Sequence, residues 1–302
     1  MTSSAKPGAA APLVHDPKAV ATAEVLIDAL PYIRAFAGRT IVVKYGGNAM
    51  TDAALAQSFA ADIVLLHSVG IRVVVVHGGG PQIGDLLGRL GKESEFRDGL
   101  RVTDAETLDV ARMVLVGKVN RDIVASINVH GPIAVGLSGE DGGLITANLR
   151  DPELGFVGDV ADVNPALVES LLAEHLVPVV STIGADVHGQ SYNINADTVA
   201  GALAGALGAE KVIYLTDVPG ILRDVDDPSS LIGSTTPSHI AELEASGVLS
   251  GGMIPKVRAC LEAIDAGVPA VHMLDGRVPH VVLLELLTTA GVGTMITQDG
   301  GR

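Results

Sequence analysis

Tryptophan is absent from the 302 residues, cysteine occurs once, and only 3% of the side chains are aromatic. Base-stacking recognition of nucleic acid therefore has little to build on. Positive charge is scarce as well: 20 Lys and Arg against 35 Asp and Glu leave a formal net charge of -15. Phosphate backbones are gripped by clustered Lys and Arg, so this balance argues against a nucleic-acid binder. The lone Cys260 rules out an internal disulfide framework or a cysteine-rich zinc site and suits a reducing cytoplasm. Long apolar runs are missing too. Mean hydropathy is positive, but a spanning helix needs about 20 largely apolar residues. The best stretch, Thr198 to Ala209, is shorter and rich in Gly and Ala. Residues 1–15 hold no continuous apolar core of signal-peptide length and read as a flexible tail. The expectation is a soluble cytoplasmic protein with no membrane or nucleic-acid partner.

What the chain does contain is aliphatic bulk, 48% hydrophobic, and 36 glycines. Its length suits one large or two ordinary domains at roughly 150 residues each. Val20, Ala23, Leu26, Ile27 and Leu30 recur at helical spacing, which predicts a first helix from Asp16 to Phe36, with a kink near Leu30 ahead of Pro31. Short β-rich runs then alternate with helical ones. Thr40–Lys44, Arg72–His77, Ala134–Leu137, Val177–Thr182 and Lys211–Thr216 read as strands. Asp52–Ser68, Pro81–Leu90, Ala105–Asn128 and Thr198–Leu207 read as helices. Near-continuous apolar strands in such alternation indicate an α/β fold, with a mainly parallel sheet buried on both faces. Asp151 to Val163 reads as a surface excursion of hairpin character. Asp224 to Pro237 reads as a polar loop, and Gly184 to Ser191 as a turn-rich gap suited to a lobe boundary.

Three glycine clusters are expected where strands end: Gly46-Gly47, Gly78-Gly79-Gly80 and Gly251-Gly252, the last before a helix containing Lys256. Backbone N–H groups exposed there, backed by helix N-termini, suit an anion. A single such pair reads equally well as a tight turn. Ile83 occupies the position where a dinucleotide fingerprint starting at Gly78 needs its last glycine, and no Walker A loop or G-x-S-x-G elbow occurs. The nine histidines show no zinc-ligand spacing.

The segments Val42–Met50 (VVKYGGNAM), Val73–Ile83 (VVVVHGGGPQI), Asp98–Asp104 (DGLRVTD), Tyr192–Ala200 (YNINADTVA), Leu215–Leu222 (LTDVPGIL) and Gly251–Val257 (GGMIPKV) occur in that order. Together they resemble the amino acid kinase family, in particular its acetylglutamate-phosphorylating branch in arginine biosynthesis, from about Asp16 to Ile296. The resemblance implies a three-layer αβα sandwich around a mainly parallel sheet. It also implies ATP-dependent phosphorylation of the side-chain carboxylate of N-acetyl-L-glutamate, with Mg²⁺ carried by the ATP and no protein metal site. By the same resemblance Lys44 and Lys256 are the catalytic lysines and Asp197 the carboxylate that holds them. Asp197 suits helix capping just as well. Arg101 clamps the substrate α-carboxylate, for which a guanidinium fork is better shaped than an ammonium. Asn193 and Asn195 share that cleft, and Gly79 and Gly80 offer backbone donors. Gly46, Gly47, Asp217, Gly220, Leu249, Gly251, Gly252 and Met253 fall on the nucleotide side.

The first helix, with Ala29–Ile33, is similar to the extra helix of the arginine-sensitive subgroup. That likeness implies feedback inhibition by L-arginine at Tyr32, Lys211, His272 and Glu285, and a homo-oligomer, a hexamer built as a trimer of dimers. It also divides the chain into a tail (1–15), an interlacing helix (16–38), an N-lobe for acetylglutamate binding and dimerisation (39–190) and a C-lobe for ATP and arginine (191–302). Two other readings stay open: a family member acting on a different acid, and an arginine-sensing protein without catalysis.

Overall fold

The computed structural model describes residues 16–97, 99–249 and 251–300; the expected tail of residues 1–15 lies outside them. The first element is α1 (Pro17–Phe36), begun where the Asp16 carboxylate accepts the Lys18 N–H and unbroken through Pro31. Next come β1 (Thr40–Tyr45), α2 (Ala53–Ser68), β2 (Arg72–His77) and α3 (Gly80–Arg89). The hairpin β3 (Phe96–Arg97) and β4 (Leu100–Arg101) has Gly99 in its turn at φ 79°, a conformation that favours glycine. It leads into α4 (Ala105–Arg112), a π-helical segment at Met113–Val119, and α5 (Asn120–Asn128). The wider π turn resets which side chains face inward partway along this rod.

After β5 (Ala134–Ser138), the strands β6 (Ile145–Leu149) and β7 (Val157–Val163) form an antiparallel pair that includes the expected excursion. They are followed by α6 (Ala166–Ala173), β8 (Val177–Ser181), β9 (Ile183–Ala185) and β10 (Ser191–Ile194). The Gly184–Ser191 stretch connects β9 to β10, which pair antiparallel. The rest of the chain is α7 (Ala196–Ala206), β11 (Lys211–Thr216), β12 (Ser234–Thr235), α8 (Pro237–Ala245), α9 (Met253–Asp265), β13 (Ala270–Asp275), α10 (Val281–Leu287) and β14 (Thr294–Thr297).

Eight strands form one sheet in the order β12-β14-β13-β11-β1-β2-β8-β5, while β6, β7, β9 and β10 close into a small barrel. Within the large sheet every neighbouring pair is parallel except β13 with β14. The two-residue period of a strand explains both faces. Val42, Val74, Val76, Val212 and Tyr214 pack into a core with α6, α7, α8 and α9. Their alternates Val43, Val73, Val75, Ile213 and Leu215 pack against α2, α3, the α4–α5 rod and α10. Strands buried on both faces need apolar residues at every position, hence runs such as RVVVVH. This is the expected three-layer αβα sandwich. No helix of the described residues is long and apolar enough to cross a membrane.

The strand order positions the site. β11, β1, β2 and β8 lie side by side and parallel, so their C-terminal ends put Asp217, Gly46, Gly78 and Thr182 along one edge, the usual ligand crevice of such sheets. One expectation needs correcting: Gly251-Gly252 do not follow a strand. They follow α8 and a turn at Gly247 (φ 77°), because Pro237–Ala245 is capped by Thr236 and forms a helix rather than a strand.

Leu203 of α7 is fully buried between the sheet and α9. Leu203→Ala is expected to cost about 2–5 kcal/mol through lost burial and a residual cavity. The cost should appear as a lower denaturation midpoint with an unchanged denaturant slope.

Candidate active site

Lys44 is the penultimate residue of β1, where alternation turns it toward the α7 face. Its stem is largely covered, with 14% of the side chain exposed, and its Nζ lies 2.8 Å from Asp197 Oδ1. The N-terminus of α7 explains why Asp197 is available. Asn195 is the cap, and its side-chain oxygen accepts the N–H groups of Asp197 and Thr198. Capping thus falls to Asn195, which leaves the Asp197 carboxylate to the lysine. A Cβ at Gly46 would stand 3.0 Å from Lys44 Nζ, so glycine there keeps space for the ammonium.

The next turn is held from both sides. Gly78 N–H donates to the Tyr45 carbonyl at 3.0 Å, and His77 Nδ1 lies 2.9 Å from the Gly78 carbonyl. A Cβ at Gly79 would come within 2.7 Å of Leu115 Cδ2, so a larger residue there would have to displace that side chain. The Gly79 and Gly80 N–H groups donate to no described residue, and Gly80 opens α3. These are donors ready for an anion.

Arg101 ends β4 and is 8% exposed. Its Nη2 donates to the Gly80 carbonyl at 2.8 Å, its Nη1 donates to Ser94 Oγ, and its guanidinium stacks 4.6 Å from the Phe96 ring centroid. No described carboxylate pairs with it. Burial lowers its pKa, because desolvation disfavours the charged form. Gly79, Gly80, Arg101, Asn193 and Asn195 line one cavity of about 190 Å³, with Phe96 and Thr182. Asn193 Nδ2 donates to Thr103 Oγ1 at 3.3 Å. The five residues expected around the substrate therefore converge, although they come from three separate segments of the chain.

On the neighbouring strand end, Lys256 of α9 forms an ion pair with Asp217, which follows β11. Lys256 therefore contacts Asp217 rather than Asp197. That contact, a hydrogen bond from the ammonium, holds the Asp217 carboxyl below the usual range. A Cβ at Gly47, Gly251 or Gly252 would meet only open space, so these turns leave room beside them. Gly220 differs: a Cβ there would lie 2.6 Å from Thr294 Oγ1, so this glycine serves close packing. The Leu249 side chain is buried in the core. Met253 is the first residue of α9.

A separate cluster lies under α1. Lys211 Nζ is 2.8 Å from His272 Nε2, and His272 Nδ1 is 2.8 Å from Glu285 Oε1. The second Glu285 oxygen accepts the Val292 N–H. Lys211 also lies 5.5 Å from the Phe36 ring centroid, and Tyr32 packs partly buried on the same core. Burial lowers the pKa of both Lys211 and His272.

The sequence reading missed Ser94 and Phe96, which hold the Arg101 guanidinium, and Leu115 and Thr182 in the cavity wall. Phe96 and Arg101 face each other across the hairpin. Aromatic and arginine flanking a glycine turn were a legible signal. Leu115 and Thr182 carried none, since both look like core residues.

The sequence profile described as the amino acid kinase family matches residues 39–275. The chain is 53% identical to acetylglutamate kinase of Moorella thermoacetica over 283 residues, covering 90% of this chain and 96% of that one. It is 58% identical to acetylglutamate kinase of Synechococcus over 277 residues, covering 91% and 97%. Among solved structures it superposes on N-acetylglutamate synthase of Neisseria gonorrhoeae, complexed with coenzyme A and N-acetyl-glutamate. The TM-score is 0.80 at 26% identity, over 91% of this chain, which spans 63% of the synthase.

His77 gives a pH prediction. Desolvation pushes its pKa from 6.5 down to about 4, so the folded state refuses a proton that the unfolded chain binds. Stability is full above 6.5 and is lost as pH falls toward 4. The loss assigned to this side chain is about 3 kcal/mol. Denaturant melts across this range should show that slope, and His77→Gln should flatten it; an equal slope in both proteins would refute the assignment.

Proposed function

The chain belongs to the amino acid kinase family, among its acetylglutamate kinases, and from that premise we propose that it transfers a phosphoryl group from ATP to the side-chain carboxylate of N-acetyl-L-glutamate, giving N-acetyl-L-glutamyl 5-phosphate in arginine biosynthesis. The observation that carries this reading is the cavity that places the backbone donors of Gly79 and Gly80 beside a buried arginine, none of the three paired with a carboxylate among the described residues. That is a site for a small molecule with two anionic groups.

Arg101 takes the α-carboxylate, with Asn193 and the remaining amide donors of Asn195 on the rest of the substrate. The side-chain carboxylate then faces the glycine turn. It is already a nucleophile at neutral pH, so no general base is needed. Its oxygen forms the new bond to the γ-phosphorus as the bond to the β-phosphate oxygen breaks, and ADP leaves. Alignment and charge compensation supply most of the catalysis in such a transfer. Lys44, held by Asp197, and Lys256, held by Asp217, supply positive charge on the moving phosphoryl group, and the Gly79 and Gly80 amides add donors. The open turns at Gly47, Gly251 and Gly252 suit a triphosphate, and the Mg²⁺ carried with ATP offsets phosphate charge when bound. Residues 39–190 then hold most of the amino-acid site and 191–302 most of the nucleotide site, with Asn193 and Asn195 reaching the amino acid from the second lobe and Gly47 reaching the nucleotide from the first. The working compartment is the cytoplasm.

We further infer that L-arginine inhibits at Tyr32, Lys211, His272 and Glu285. A half-buried carboxylate, 2.8 Å from His272, gives a guanidinium a charge partner within reach of α1. On α1, Val25, Leu26 and Ile27 are more than 60% exposed, which supports helix interlacing between protomers in a hexamer.

With MgATP and N-acetylglutamate, the protein should release ADP and form an acyl phosphate trapped by hydroxylamine. Lys44→Ala should lower kcat by roughly 100-fold or more, and full activity in that variant would remove the mechanism. Millimolar arginine should depress the rate in the wild type and not in Glu285→Ala. An unaffected rate, or a dimeric mass by light scattering, would overturn regulation or the hexamer respectively.

A further inference from the structure

We propose that Asn120, at the junction of the π-helical segment and α5, is a positioning residue that acts through His77 to set the Gly78–Gly80 turn. This rests on the phosphoryl-transfer reading for its effect on rate, but not for its geometry.

Asn120 is fully buried. Its Nδ2 lies 2.8 Å from the Val179 carbonyl and 3.4 Å from that of Leu137, so the nitrogen end of the amide faces the sheet. The same nitrogen is 3.1 Å from His77 Nε2. An amide nitrogen only donates, so Nε2 must accept and carry no proton. The imidazole proton is then on Nδ1, 2.9 Å from the Gly78 carbonyl, to which it donates. With Tyr45 accepting the Gly78 N–H, both polar groups of Gly78 are fixed, and the next two residues line the cavity. The other tautomer would set two donors against each other at Nε2 and two acceptors at Gly78.

The surroundings keep His77 uncharged. On the sheet it is flanked by Tyr45 of β1 and Ser181 of β8, and the charged group facing it is Arg121 of α5. Arg121 itself donates to the Asn120 oxygen, which orients the amide. A Cβ at Gly136 would fall on both Asn120 Oδ1 and the Arg121 guanidinium, so glycine on β5 leaves their space open. The π-helical phase matters here: one rod supplies Leu115 against Gly79 and Asn120 against His77.

The test starts with the unmodified full-length protein. Two-bond proton–nitrogen correlation spectra on ¹⁵N-histidine-labelled protein, with His77 identified by His77→Gln, should show the neutral Nδ1–H tautomer at pH 7. An Nε2–H tautomer or an imidazolium overturns the proposal, and neither depends on activity with N-acetylglutamate. Kinetics then separate positioning from packing. Asn120→Leu keeps the volume but loses the donor, and should lower kcat roughly 10- to 100-fold with KM for N-acetylglutamate within threefold. Unchanged kcat refutes the role. In Asn120→Asp the new carboxylate favours a proton on Nε2. Protonated His77 retains its bond to Gly78, whereas neutral His77 loses it. That variant should therefore gain activity as pH falls, a limb absent from the wild type. A parallel loss at all pH values overturns the relay. If either variant fails to fold, the tautomer in the unmodified protein decides the matter.

Discussion

On a chain that is itself net negative, the contact between Lys44 and Asp197 holds one positive charge at the end of a central strand. The long-range field of a protein with charge -15 opposes any anion, so anion capture here would depend on such local groups. Lys44 is largely covered and tied to α7, which keeps a positive charge at the end of β1 instead of in bulk solvent. Gly46 gives that ammonium room, and Asn195 caps the helix so that Asp197 is free to hold it. Each neighbouring feature follows from keeping this one charge in place at the strand end.

The same logic runs along the sheet edge. Parallel strands deliver their C-terminal ends to one side, and the order β11-β1-β2-β8 puts an acidic residue, two glycine turns and a threonine side by side. Lys256 arrives from outside this row, on a helix that packs against α7 and reaches Asp217. Arg101 arrives from the hairpin after α3, covered by Phe96 and bonded to Gly80. Positive charge from three elements thus stands at this sheet edge, with Arg101 bonded to the glycine turn itself.

Much of this architecture was legible beforehand. Runs such as RVVVVH and KVIYLT can only be strands buried on two faces, and alternation with amphipathic segments leaves few folds. Helix starts were written in Asp16, Asp52 and Asp104, whereas the next cap is Asn195 and not the Asp197 that the sequence also suited to it. Other features were not legible. Nothing in MVLVGKV distinguishes a π-helical turn from an α-helical one, because the difference lies in how the rod packs on the sheet. Gly251-Gly252 looked like a strand end, since glycine marks a turn without saying what precedes it. The close packing at Gly220 and the core burial of the Leu249 side chain were not visible in the motif positions that they match.

The sequence by itself determined the layers, the turns and the residue types able to bind anions, because periodicity, capping and glycine act locally. Tertiary structure alone decided the pairings: Lys256 with Asp217, Asp197 with Lys44, and His77 between Asn120 and Gly78. Those contacts join residues far apart in the chain, so their geometry depends on how helices dock on the finished sheet. No local pattern carries that information.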